Sequence, residues 1–180
     1  MRLINVFDAA KEGTFEEFRS FYTNKVNETS DTLGLNLLHL ALVNDKKQEE
    51  KLKIIEYLIS EGIDINFIDK KYSRNALHNF YFNVLRPSPE YMLTITKLLV
   101  QNGIDINALD KFNSSPLKYA ITITKLPTTE IKQVYKYLLD NGADYTIKDQ
   151  FGKSCIDYSE EYSWRNDVLK IIEEFNGTNF

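Results

Sequence analysis

Two short motifs recur along this chain at nearly constant spacing, and such a repeat constrains the fold more than any other feature of the sequence. The first motif places a glycine two residues before an aspartate, at Gly62, Gly103 and Gly142, with steps of 41 and 39 residues. The second carries a leucine or isoleucine at positions 38, 77, 117 and 156, with steps of 39, 40 and 39 residues. Because two independent series share one period, we interpret the chain as an array of similar units.

Each unit is predicted to be a helical hairpin. An amide or hydroxyl side chain opens the first helix as its N-cap by accepting a hydrogen bond from a free backbone N–H. These caps are Asn36, Asn75, Ser115 and Ser154. In the first full unit the helix is expected to span residues 37–43. Apolar residues at helical spacing then predict a second helix with one buried stripe. The motif glycine ends that helix in the left-handed conformation that glycine adopts most readily.

These motifs resemble the ankyrin repeat, whose units begin with threonine-proline-leucine-histidine and end with glycine-alanine-aspartate. Residues 36–39, 75–78 and 115–118 match the start in degraded form, and the three glycine motifs match the end. The resemblance implies an all-α solenoid of stacked helix-turn-helix units joined by hairpin-like loops. It covers nearly the whole chain, as a single domain over residues 1–180. The expected units are a degenerate N-terminal repeat at 1–30, central repeats at 31–68, 69–109 and 110–148, and a partial, capping repeat at 149–180.

The units are longer than the ~33 residues of an ankyrin repeat, and each carries about six extra residues. The motifs at both ends align without gaps, which places the surplus between the two helices, at residues 45–51, 85–91 and 125–130. Proline in two of these inserts favours loops or helix-end extensions over one continuous helix. Two interpretations stay open: a second contact surface, or a solvated decoration of the array, which is the more common role of charged loops.

Composition argues against several classes of protein. A hydrophobic fraction of 43% indicates a folded chain, and a net charge of −4 gives no long-range attraction for nucleic acid. No apolar run approaches the ~20 residues of a membrane-spanning helix, and polar residues interrupt the N-terminus too early for a signal peptide. The single cysteine, Cys155, cannot form an internal disulfide, which fits a reducing compartment. We therefore expect a cytoplasmic protein without a nucleic-acid or membrane partner.

No residues with catalytic or metal-binding spacing stand out. His39 and His78 occupy the histidine position of the repeat, where the resemblance implies hydrogen bonds within and between neighbouring turns. Cys155 takes the place of the helix-start proline, and nothing near it in sequence would lower its pKa. No phosphate-binding glycine loop, Gly-x-Ser-x-Gly turn or His-Glu-x-x-His motif occurs. We expect no enzymatic activity, no cofactor and no metal.

The resemblance also implies where a partner would bind, namely at the hairpin tips and the exposed side of the first helices. Transfer by position predicts the partner-binding residues Leu33, Leu35, Lys70, Lys71, Tyr72, Arg74, Phe82, Lys111, Phe112, Ser114, Gln150, Phe151 and Lys153. Aromatic residues recur at the tips, and exposed rings are typical of binding hot spots. The cations make this edge basic within an acidic chain. The alternative is that the rings fold back over neighbouring turns and the lysines keep the tips soluble.

The sequence therefore predicts a non-catalytic interaction module, a monomer by default, that binds an acidic and partly apolar protein surface. A more specific alternative is an immunity-type protein that neutralises a cognate bacterial toxin, because small ankyrin proteins resemble some bacterial immunity proteins. The Asn-, Ile- and Lys-rich composition is a further, weak indication of a low-GC bacterial source. A nucleic-acid-binding adaptor that uses the basic edge is a more remote alternative.

Overall fold

The chain forms a row of helical hairpins in the computed structural model, which describes residues 3–84 and 86–178. Within these ranges lie ten α-helices and one 3-10 turn, Ser163–Arg165, and no strand. The helices are α1 (Val6–Glu12), α2 (Phe15–Phe21), α3 (Leu37–Ala41), α4 (Gln48–Ser60), α5 (Ala76–Asn83), α6 (Pro89–Gln101), α7 (Pro116–Thr122), α8 (Lys132–Asp140), α9 (Cys155–Glu161) and α10 (Asn166–Thr178). The expected all-α class is confirmed.

The helices form two layers, because each hairpin stacks on the next in the same orientation. Every odd-numbered helix from α1 to α9 contacts the next odd-numbered one, and every even-numbered helix from α2 to α10 contacts the next even-numbered one. The apolar stripes of both layers meet in one continuous core. A single hairpin cannot bury its own stripe, so the units depend on their neighbours for stability.

The local signals at the helix ends are confirmed. The side chains of the four predicted N-caps each accept a hydrogen bond from the backbone N–H three residues later. The three motif glycines have φ of 82° to 88°, a region that L side chains rarely adopt. The first helix of the first full unit is shorter than predicted, however, and ends at Ala41. The Leu42 N–H bonds to the carbonyl of His39 at 3.1 Å, which tightens the last turn and closes the helix early.

The first insert caps a helix of the preceding unit. The carbonyl oxygens of residues 10, 11 and 12 have no partner within α1, as is usual at a helix C-terminus. They accept hydrogen bonds from Lys51 Nζ at 2.6 Å, Asn44 Nδ2 at 2.8 Å and Lys47 Nζ at 3.2 Å, respectively. Burial lowers the pKa of Lys51 to about 8. Residues 44–51 therefore stabilise the junction between two units, a role that neither interpretation from the sequence included.

The second insert contacts the first. Ser88, the N-cap of α6, donates a hydrogen bond from its hydroxyl to Gln48 Oε1 at 2.9 Å. Gln48 begins α4, so the two inserts meet along the same edge of the array. Leu85 of the second insert lies outside the described residues.

The third insert and the end of α7 before it enclose a buried arginine from the last unit. Arg165 donates from Nε to the carbonyl of Ile121 at 2.7 Å and from Nη1 to that of Leu126 at 2.9 Å. Its Nη2 donates to the carbonyl of Thr124. The last unit also contains a full helical hairpin, α9 and α10, although only its opening matches the repeat motifs in the sequence. Its second helix is recognisable through contacts with α8 and α9 rather than through a glycine motif.

Asparagine side chains clamp each loop to the loop of the next unit. Asn66 accepts a hydrogen bond from Asp105 N at 2.7 Å and donates one to the carbonyl of Gly103 at 3.0 Å. Asn107 makes the same pair with Asp144 N and the carbonyl of Gly142, both at 2.8 Å. These bonds join residues that lie one repeat apart, so they contribute to the stacking itself.

Replacing Asn107 by alanine is expected to lower the free energy of unfolding by ~1–2 kcal/mol, because the substitution leaves one N–H and one carbonyl of the next loop without their partner. Asn141→Ala is the matched control, since Asn141 Nδ2 bonds only the carbonyl of Tyr137 within its own unit. Urea unfolding of both variants measures the difference. Equal losses would contradict a clamp between units.

Candidate functional site

A buried aspartate organises each of the last three hairpin tips. The carboxylates of Asp69, Asp110 and Asp149 accept hydrogen bonds at 2.7–3.2 Å from backbone N–H groups two to five residues later in the same tip. The tight turns leave these N–H groups without a helical or strand partner, so the aspartates satisfy them. The three aspartates recur with the period of the repeat, a signal that could have identified them from the sequence.

Two tyrosines connect these tips to the inner layer of helices. Tyr119 Oη and Tyr158 Oη each donate to the aspartate nine residues earlier, at 2.6 Å. Lys118 Nζ lies 3.2 Å from Asp149 Oδ2, the same oxygen that accepts from Tyr158. Burial raises the pKa of Asp149, but the hydrogen bonds from Tyr158 and from backbone N–H groups outweigh burial and hold the pKa below its usual value. The tips are therefore fixed rigidly on the helices beneath them.

Backbone hydrogen bonds join three of the tips into a ladder. The N–H of Lys111 donates to the carbonyl of Tyr72 at 2.9 Å, and the N–H of Gln150 donates to the carbonyl of Phe112 at 2.9 Å. Among the described residues no such bond connects the first tip, residues 30–35, to the second. The ladder therefore begins at the tip of Tyr72 and ends at the tip of Phe151.

Arg74 fills the space between the second tip and the inner helices. Its guanidinium carbon lies 4.0 Å from the ring centre of Phe82 and 4.6 Å from that of Tyr72. Its Nε donates to Tyr119 Oη at 3.0 Å. The Arg74 side chain is 12% exposed, so most of its surface is used within the protein. Its contacts with the rings and its charge near Asp110 hold the tip in place.

A groove of about 240 Å³ lies between the tips and the inner helices. Its lining brings together six of the predicted partner-binding residues, Arg74, Phe82, Phe112, Ser114, Gln150 and Phe151. The remaining lining residues are Lys118, Tyr119, Thr122 and Ile123. Two large apolar side chains stand exposed beside it, Phe151 at 71% and Phe82 at 41%. The volume is below the ~300–1,000 Å³ of pockets that enclose small molecules, and suits a side chain of a larger partner better.

Seven predicted residues lie outside this groove: Leu33, Leu35, Lys70, Lys71, Tyr72, Lys111 and Lys153. Leu33 is exposed on the first tip, whereas Leu35 of the same tip is half-buried against the core. Ser114 is only 2% exposed, because its backbone is bonded to Asp110 and its carbonyl accepts from His78 Nε2. Ser114 lines the groove but presents almost no surface at this burial, and its role as a partner contact stays a prediction.

Some rings and cations of the tips are exposed, as the binding interpretation requires. Others fold back over neighbouring turns, as the alternative interpretation requires. Tyr72 and Phe112 are half-buried, with ring centres 6.4 Å apart, and Lys111 Nζ lies 4.1 Å from the ring centre of Tyr72. Lys153 is half-buried and pairs with Glu161. By contrast Phe151 is exposed, and so are Lys70, Lys71 and Lys111, for which the described residues provide no carboxylate partner. The rings of Tyr72 and Phe112 therefore cover the turns, whereas the ring of Phe151 remains exposed.

Sequence reasoning missed three lining residues, Lys118, Tyr119 and Ile123, whereas transfer by position places Thr122 on the exposed side of its helix. Lys118 stands at the histidine position of its repeat, which pointed to a purely structural role. Tyr119 and Ile123 lie one turn apart on α7 and at its end, so the helical period could have placed them on one face. No local signal indicated that this face would border the tips.

The two histidines and the cysteine are buried within the array. His78 Nε2 donates to the carbonyl of Ser114 at 2.8 Å, since a carbonyl can only accept. Burial lowers the pKa of both His39 and His78 to about 4, and burial raises the pKa of Cys155 to about 12. Among the described residues, no three His, Cys, Asp or Glu side chains are grouped to hold a metal ion. None of the helices in these ranges is both long and apolar enough to cross a membrane.

Comparison with known proteins agrees with this geometry. Residues 33–70 match the family model of the ankyrin repeat, and a search of curated proteins found no match. Repeats of this family generally act as protein–protein interaction modules and are typically non-catalytic. The match covers the hairpin of α3 and α4 with the loop that follows it, and the other hairpins stack on it in the same orientation. The chain thus has an all-α fold of stacked hairpins, consistent with the ankyrin-repeat fold, and residues 33–70 match one ankyrin repeat.

Proposed function

We propose that this chain binds a protein partner through its hairpin tips and the groove beneath them. The observation that carries the proposal is the pair of exposed phenylalanines, Phe82 and Phe151, beside a groove with apolar and cationic lining. Exposed rings on a rigid surface are the residue type that dominates binding energy. Repeat arrays commonly use this surface for recognition.

The partner surface is proposed to be acidic and partly apolar. Lys70, Lys71 and Lys111 are exposed on the tips, while the aspartates of those tips are buried and hydrogen-bonded. A partner approaching the tips therefore meets ammonium groups first. Charge of this kind raises the association rate, and burial of the phenylalanines would supply most of the affinity. In this proposal the chain acts as a cytoplasmic monomer.

The double substitution Phe82→Ala and Phe151→Ala is expected to weaken partner binding at least ~10-fold, because it removes both exposed anchors. The partner is first captured with a photo-cross-linking amino acid at position 151, then purified and titrated against each variant. Ile4→Ala is the matched control, since Ile4 is 70% exposed but lies at the other end of the array. Undiminished binding by the double variant would overturn the proposal.

Two alternatives can be tested beside this proposal. The identity of the captured partner tests the first, and a direct binding measurement tests the second. A toxin encoded beside this gene, whose activity the chain blocks, would support the immunity-type alternative. For the nucleic-acid alternative, fluorescence anisotropy with single-stranded DNA and RNA at low salt is the direct measurement, because binding through lysines strengthens as salt is removed. We expect no binding there. Saturable binding that is lost in Lys70→Glu, Lys111→Glu would favour the adaptor instead.

A further inference from the structure

The ladder of tips ends with an unused acceptor. Its two rungs run from the N–H of one tip to the carbonyl of the aromatic residue of the preceding tip, Tyr72 and then Phe112. Phe151 occupies the same place in the last tip, two residues after the tip aspartate, as Phe112 does. Within the described residues no donor reaches the Phe151 carbonyl. This carbonyl is therefore an unpaired acceptor in the part of the chain that the structure describes.

The side chain of Phe151 is also exposed. Tyr72 and Phe112 are half-buried, since each has the following tip beside it. Phe151 is 71% exposed, and among the described residues no following tip packs beside it. An unpaired backbone acceptor next to an exposed ring resembles the edge of a sheet, which is a template for a further strand.

We propose that the partner extends this ladder: an extended partner segment donates a main-chain N–H to the Phe151 carbonyl and packs an apolar side chain on the Phe151 ring. This inference rests on the proposed function and adds where and how the partner docks. An extended segment fits better than a helix, because the N–H groups within a helix are already bonded internally. Its neighbouring residues are acidic, to face Lys111 and the other exposed lysines of the tips.

Displayed random peptides supply a probe that does not depend on the natural partner. Peptides are selected on the full-length chain and counter-selected on Phe151→Ala, which should fold normally because the ring lies mostly in solvent. The best peptide is then synthesised with each backbone nitrogen methylated in turn, and each version is titrated by fluorescence anisotropy. In parallel the carbonyl carbon of Phe151 is followed by NMR.

Methylation at one position is expected to weaken binding at least ~10-fold, about the value of one well-placed hydrogen bond, with small effects elsewhere. The Phe151 carbonyl resonance should shift on binding, and Ile4→Ala should bind as the wild type does. Peptides that need Phe82 and Phe151 but tolerate every methylation would overturn the ladder and leave the groove function standing. Peptides indifferent to both phenylalanines, or no recovered Phe151-dependent peptide, would overturn both. Self-association abolished by Phe151→Ala would assign the edge to a second copy and overturn the partner segment.

Discussion

Replacing Arg165 by methionine should lower the free energy of unfolding by ~3 kcal/mol or more, the largest effect we expect from a single substitution in this chain. Arg165 is fully buried and has no carboxylate beside it among the described residues. Its guanidinium is held by three backbone carbonyls, by the Thr128 hydroxyl at 3.2 Å and by the ring of Trp164 at 4.0 Å. Methionine retains the apolar stem and removes every donor.

Two opposing effects decide the sign of this change. Removing the charge recovers the cost of burying a guanidinium, which is several kcal/mol when a charge is poorly compensated. It also leaves three buried carbonyl oxygens without donors, at ~1–3 kcal/mol each. The second effect should win here, because the Ile121 carbonyl belongs to the last turn of α7, where the helix end already carries partial negative charge, and the other two carbonyls lie just after it. Arg165→Lys should fall between, since one ammonium cannot reproduce the planar fork.

Arg19→Met provides the control for this measurement. Arg19 also lies over an aromatic ring, Tyr57 at 4.2 Å, but it is exposed, so its loss should cost less than ~1 kcal/mol. Urea unfolding gives both free energies. Hydrogen exchange should show faster exchange over residues 123–131 only in Arg165→Met, because that segment is wrapped around the guanidinium. A loss no larger than that of the control would contradict the structural role of Arg165.

Arg165 also illustrates what could not be predicted from the sequence. Its backbone acceptors lie 39 to 44 residues earlier in the chain, and no pattern around residue 165 marks it as buried. The N-caps and the motif glycines were predictable because their chemistry is local: a side chain bonds an N–H three residues later, or one residue adopts positive φ. Contacts between units depend on how the hairpins stack. The repeat period indicates that the hairpins stack, but it does not specify which side chains meet.

The candidate site, too, could be predicted from the sequence only in part. The register of Tyr72, Phe112 and Phe151 along the tips follows from the repeat and was predicted. Their exposure was not, because it depends on whether another tip follows. Ser114 was placed correctly on a tip, yet the aspartate at the base of that tip draws its backbone inward. Position along the chain was thus predictable, and access to solvent was not.

Acid should destabilise the fold well above the pH at which carboxylates titrate. Burial lowers the pKa of His39 and His78 to about 4, from an ordinary value of 6.5. Between these values the unfolded chain binds a proton at each histidine and the folded chain does not. Stability therefore falls as the pH decreases through this window, by up to ~1.4 kcal/mol per pH unit for each histidine. Together they should remove ~4 kcal/mol between pH 6.5 and about pH 4.5.

The surroundings of the two rings agree with this direction. Asp69 lies near both histidines and Asp110 lies near His78, which favours the charged form, but burial has the larger effect. Arg74 opposes protonation of His78. The lowered pKa of Asp149 acts in the same direction at lower pH, because a carboxylate that is stabilised in the fold loses its contribution when it is protonated. The histidine effect can therefore be measured first, in mildly acidic buffer.

The two histidines offer a matched pair, because they hold the same position in successive units but differ in their bonds. His78 donates to the carbonyl of Ser114 and accepts from Asn75 N, whereas neither ring nitrogen of His39 reaches full hydrogen-bond geometry with any of the described residues, although the backbone of Phe67 lies near enough to favour its charged form. His78→Leu should thus cost ~2–4 kcal/mol at pH 7, since it leaves a buried carbonyl unpaired. His39→Leu should be near neutral, because the buried nitrogens it removes were unsatisfied.

Urea unfolding between pH 7 and pH 5 tests both the predicted pH dependence and the predicted difference between the two leucine variants. Each single variant should lose about half of the pH dependence, and the double variant should lose nearly all of it, because one proton-binding difference disappears with each ring. The two variants should therefore share a slope while differing in stability at pH 7. A wild type whose stability is flat over this range would show that the fold does not lower the pKa values of the two histidines. Equal costs for the two leucine variants at pH 7 would contradict the difference in their hydrogen bonds.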